Sequence, residues 1–87
     1  MIKAWDDAAW DDYLFWQTQD KKTLKRINLL LLDVERNGNI GLGKPEPLKG
    51  NLQGYWSCRI DETNRLVYRI VGNRIEILQC RSHYGDK

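Results

Sequence analysis

Apolar residues recur at helical spacing as far as Asn37 and alternate one by one beyond Gly54, and a stretch rich in glycine and proline separates the two regimes. In a chain of 87 residues this leaves room for a single domain, 1–87, in which helices come first and a sheet follows. Ile2–Trp5 is a short apolar run ended by Asp6 and Asp7, either of which can cap a helix by accepting backbone N–H bonds. Trp10, Tyr13, Leu14 and Gln17 fall at i, i+3, i+4 and i+7 and predict the core face of the first helix, with Phe15 and Trp16 flanking it. Leu24, Ile27, Leu31 and Val34 mark a second helix that stops at Asn37-Gly38. Leu29 and Leu32 point away from that stripe, which leaves two readings open: helices buried on more than one side, or a protein interface.

Gly38–Gly54 holds five glycines and both prolines and predicts a long irregular connection. Trp56, Cys58 and Ile60 then alternate with Ser57 and Arg59, and Leu66, Tyr68 and Ile70 alternate with Arg65 and Arg69; both runs read as half-buried strands. Val71-Gly72-Asn73 leads into a third apolar run, Arg74–Arg81. The expected fold is α+β in the order β-α-α-β-β-β, two N-terminal helices on one face of a small antiparallel sheet.

Cys58 and Cys80 have no CxxC spacing and only His83 as a further soft ligand, so neither a structural zinc site nor any other metal or cofactor is expected; buried free thiols are. No segment has the length of apolar sequence a membrane helix needs, and the acidic N-terminal stretch does not read as a signal peptide, so a cytoplasmic protein is expected. The formal charge of +2 hides an asymmetry. The first twenty residues carry one lysine against five aspartates, and the remainder carries thirteen basic residues against seven acidic ones. A polyanionic partner would therefore meet the C-terminal two-thirds.

Strand parity sends Arg59, Arg65 and Arg69 to the sheet face that the helices leave open. Glu46, set between Pro45 and Pro47, lies near Lys44 and Lys49, and His83 and Tyr84 follow the last strand. These residue types satisfy the needs of RNA cleavage without a metal. A carboxylate takes the proton of the ribose 2′-hydroxyl, cations stabilise charge building on the phosphoryl oxygens, and an imidazole protonates the departing 5′-oxygen. Tyr84 can bond a phosphate or stack on a base. Motifs of phosphate-binding loops, zinc proteases and serine hydrolases are absent from the sequence.

The segments WDDYLFWQTQDKKTLKRIN, GLGKPEPLKG, GYWSCRIDETNRLVY and CRSHY together resemble the Txe/YoeB family of bacterial toxins within the RelE/ParE superfamily. The resemblance spans Trp5 to Tyr84. It implies a RelE-like fold and a ribosome-dependent mRNA endoribonuclease that cuts the codon in the ribosomal A site. It implies partners too: a YefM-type (Phd/YefM) antitoxin, the ribosome with its message, and operator DNA bound only by the toxin–antitoxin complex. By the same resemblance Glu46 is the general base, Arg65 stabilises the transition state, His83 is the general acid with Tyr84 beside it, and Lys49 and Arg59 bind phosphate or RNA.

Two departures from the family pattern stand out. Cys58 replaces the first of two arginines common in family members, and by parity it faces the helices, so packing changes and chemistry survives. Gly85-Asp86-Lys87 extends beyond the His-Tyr pair at which family chains commonly end, which bears on the role of Tyr84. The competing expectation is a non-catalytic toxin of the same fold that binds a protein such as DNA gyrase, as in the ParE branch. Leu29 and Leu32 permit a homodimer.

Overall fold

The computed structural model describes residues 1–82. Strand β1 (Ile2–Trp5) leads into helices α1 (Asp7–Gln19) and α2 (Lys21–Asn37), followed by β2 (Glu46–Pro47), a 3-10 turn at Gly50–Leu52, β3 (Trp56–Arg59), β4 (Arg65–Val71) and β5 (Arg74–Gln79). The strands form one sheet in the order β1-β5-β4-β3-β2. The helices pack on one face of it, and the core between the layers is built from Ile27, Leu30 and Val34 of α2 against Leu66, Tyr68, Ile75 and Ile77 of the sheet. The α+β order of elements matches the sequence expectation.

Four details differ from it. The sheet is mixed, because β1 pairs parallel to β5, from Ile2 opposite Arg74 to Trp5 opposite Ile77. Two helices intervene between β1 and the rest, and such a crossover brings a strand back in the same direction, where a short hairpin would reverse it. A fifth strand, β2, lies inside the stretch expected to be irregular, where Glu46 pairs with Ser57 and Pro47 with Trp56. Proline is tolerated there because β2 is an edge strand.

The core face of α1 is rotated by about one residue from the predicted one. Ala9, Asp12 and Trp16 are buried, while Trp10 and Leu14 remain more than two-fifths exposed. Asp12 hides the true stripe in the sequence because its burial depends on a bond: its Oδ2 accepts the Cys80 N–H at 3.1 Å, and Trp16 Nε1 donates to the Cys80 carbonyl at 2.8 Å. One turn of α1 thus grips the end of β5. Finally, Asp6 occupies the N-cap position of α1 without a side-chain bond, whereas Asp20 caps α2 by accepting from the N–H groups of Lys22 and Thr23. Cys58 and Cys80 are buried free thiols, as expected. Leu29 and Leu32 are exposed at 47% and 39%, so the helices bury one side only.

Candidate active site

Register fixes which side chains share the open face. Arg59 stands opposite Arg65, Ser57 opposite Val67 and Glu46 opposite Ser57, so these residues point away from the helices while Cys58, Leu66 and Tyr68 point toward them. Arg65 NH1 lies 3.4 Å from Glu46 Oε1, a pair in which the carboxylate side chain is 57% exposed and the guanidinium 24%. The carboxylate is thus open to a ligand while its partner is seated in the sheet. Ser57, its partner in the register, is fully buried and its hydroxyl has no hydrogen-bond partner among the described residues, a loss of about 1–3 kcal/mol.

The wall of the site is the loop that precedes β2, fastened at several points. Tyr68 donates its hydroxyl proton to Asn39 Oδ1 at 2.9 Å, and Asp33 of α2 accepts the Leu42 N–H at 2.9 Å. The Gly43 carbonyl accepts the Arg59 N–H at 3.1 Å, tying the loop to β3. Gly43 is buried against the core, and a Cβ there would meet Cys58 Cβ and Leu30 Cδ2 at 2.8 Å. Only glycine lets the backbone come this close. Lys44 follows with φ of 50°, a left-handed conformation costly for a residue with a side chain, held by its N–H bond to the Gly41 carbonyl.

The result is a cleft of about 310 Å³ between this loop and the ends of β3 and β4. Lys44, Glu46, Arg59 and Arg65 line it, all four named from the sequence. Arg26 and Leu42 line it as well and were not foreseen. Lys49 does not line the cleft; it is exposed at the N-cap of the 3-10 turn. Arg69 shares the open face but belongs elsewhere, its Nε paired with Glu76 and its guanidinium 4.9 Å above the Tyr55 ring. That pairing holds the Glu76 carboxyl below the usual carboxylate range. Burial pushes the Cys58 thiol up to about 11, so Cys58 is a packing residue under the loop. Among the described residues no group of three His, Cys, Asp or Glu side chains can hold a metal ion.

His83 and Tyr84 lie outside the described residues, as does the Gly85-Asp86-Lys87 extension. The chain reaches that segment at the cleft: the Ser82 carbonyl accepts the Arg65 N–H at 2.9 Å, and the Ser82 N–H donates to Asn64 Oδ1 at 2.6 Å. No helix among the described residues is long and apolar enough to cross a membrane.

Comparison with known proteins agrees with this architecture. Residues 5–84 match the family model of the YoeB-like toxin of bacterial type II toxin-antitoxin systems. The toxin YoeB of Escherichia coli K12 is 51% identical over 84 residues, 97% of this chain and all of its own. Two solved structures from Staphylococcus aureus, a YoeB–YefM complex and a YoeB dimer, superpose with TM-scores of 0.91 at 45% and 46% identity, each match covering 97% of this chain and 98% of the other. The chain belongs to the YoeB-like toxin family of bacterial type II toxin–antitoxin systems.

Proposed function

We propose that this toxin is a ribosome-dependent mRNA endoribonuclease that cuts its message in the A site by general acid–base chemistry. The observation that carries the reading is the solvent-open Glu46 carboxylate 3.4 Å from Arg65, in a cleft whose other charged lining residues are all cations. Glu46 takes the 2′-hydroxyl proton as that oxygen attacks the adjacent phosphorus. Negative charge then grows on the phosphoryl oxygens, where Arg65, Arg59 and Lys44 stabilise it. The 5′-oxygen leaves with a proton from His83, giving a 2′,3′-cyclic phosphate and a 5′-hydroxyl, with Tyr84 and Lys49 as further contacts to the RNA. A cleft this small reads little sequence, and the ribosome supplies the in-line geometry that a free strand lacks.

The partner is an antitoxin of the YefM type, a reading supported by the Staphylococcus aureus relative solved with YefM. Neutralisation follows if the antitoxin covers the cationic cleft or displaces the segment that starts at Ser82. The test uses ribosomes programmed with an A-site codon. Glu46→Ala, Arg65→Ala and His83→Ala are each expected to slow cleavage by roughly 100-fold or more with unchanged thermal melting. Cleavage at the wild-type rate by all three would defeat the chemistry.

A further inference from the structure

Arg69 and Arg74 are both held by Glu76, and Lys3 lies beside Glu35. In the cleft, Glu46 is the single carboxylate among four basic side chains and bonds Arg65, so Arg26, Arg59 and Lys44 have no acidic partner among the described residues. Converging like charges destabilise a folded chain unless an anion arrives to bridge them.

Arg26 is the member that mechanism does not use. It sits on α2 next to the fully buried Ile27, so its stem starts at the border between helix and sheet. Its NH2 donates to the carbonyl of Arg59, the last residue of β3, at 3.3 Å. That one bond leaves most of the guanidinium's five N–H donors unspent. It also lines the same cavity as Glu46 and Arg65. Leu42 lines that cavity too, 50% exposed although its own backbone N–H is pinned by Asp33. An apolar side chain on a fastened backbone, lining the same cleft as a guanidinium, offers a nucleotide a surface for its base and a donor for its phosphate.

We propose that Arg26 and Leu42 form a second nucleotide subsite, in which Arg26 binds the RNA phosphate next to the scissile one and Leu42 packs against the adjoining base. This rests on the ribonuclease reading, and the test separates the two. Binding is measured on ribosomes programmed with a 2′-O-methylated A-site codon, which cannot be cut, and cleavage is measured on the unmodified message. Arg26→Ala is expected to weaken binding and raise KM about tenfold with kcat within about twofold. Its plot of log affinity against log salt should be shallower by about 0.7, the share of one phosphate contact on a single strand. Arg26→Lys should recover most of the loss, and Leu42→Ser should weaken binding about threefold without changing the salt dependence. Equal binding by wild type and Arg26→Ala would overturn the subsite. So would equal losses in Arg26→Ala and Arg26→Lys accompanied by a lower melting temperature, which would assign Arg26 to holding the end of β3. Failure of the wild type to cleave, with binding still dependent on Arg26, would instead strike the ribonuclease reading alone.

Discussion

Replacing Gly43 by alanine isolates the close approach on which the wall of the cleft depends. The added Cβ would lie 2.8 Å from Cys58 Cβ and Leu30 Cδ2 and 3.1 Å from Cys58 Sγ, where ordinary contact begins near 3.4 Å. Both neighbours are 1% exposed and have nowhere to go. The loop must therefore retreat by about 0.6 Å, stretching the bond from the Arg59 N–H to the Gly43 carbonyl and carrying Lys44 and the start of β2 with it. Overpacking of this kind costs about 1–3 kcal/mol. For a domain of this size, with a urea slope of about 1 kcal/mol per molar, the midpoint should fall by about 1–3 M. Displacing a reacting group by about 1 Å costs about 100-fold in rate, so a shift of this size predicts a loss of cleavage between about 10- and 100-fold. The assays are urea unfolding followed by tryptophan fluorescence and cleavage on programmed ribosomes. A variant with the wild-type midpoint and rate would show that the loop has slack and that its fastening does not set the position of Glu46.

Two more predictions concern the frame. Trp16→Phe removes the donor to the buried Cys80 carbonyl and is expected to cost about 1–3 kcal/mol in urea unfolding; a change below about 0.5 kcal/mol would mean that α1 does not hold the end of β5 in this way. Asp20 is held below its ordinary value by the bonds it accepts from Thr23 and Lys22, and Glu35 by the N-terminal ammonium and Lys3. Groups depressed in the folded state stabilise it above their unfolded values and lose that effect as pH falls through the folded ones. Stability should therefore decline below about pH 4.5, and Asp20→Asn should flatten the decline; a flat profile down to about pH 3 would contradict the assignment.

Much of this was legible from residue spacing. Parity alone put Arg59 and Arg65 on the open face and Cys58 among the core residues, because a strand covered on one side cannot slip by one residue without exposing its apolar set. The α1 face was misread because burial of Asp12 is bought by a bond to Cys80, 68 residues away, which local periodicity cannot register. The separation of Arg69 from the cleft did leave a signal: the tight turn between Val71 and Arg74 sets Arg69 opposite Glu76 by counting back along the hairpin. Arg26 left only a faint one, its place beside Ile27 at the edge of the helical stripe. A two-residue strand that follows one proline and ends on another has no alternation to detect, so β2 could be found only from its partner.

The parallel pairing of β1 with β5 has a consequence for how the toxin comes into being. Ile2 pairs with Arg74, so β1 has no neighbour in the sheet until β5 has been made, and the sheet closes only after the chain between them is available. Contacts this distant in sequence form late, since the entropy of closing so long a loop must be met before they contribute anything. A fragment that stops short of β5 leaves β1 without its place in the sheet and α1 without Cys80 to grip. The sheet that carries the cleft is thus completed only once β5 is present, and a chain lacking that strand cannot assemble the frame of the site.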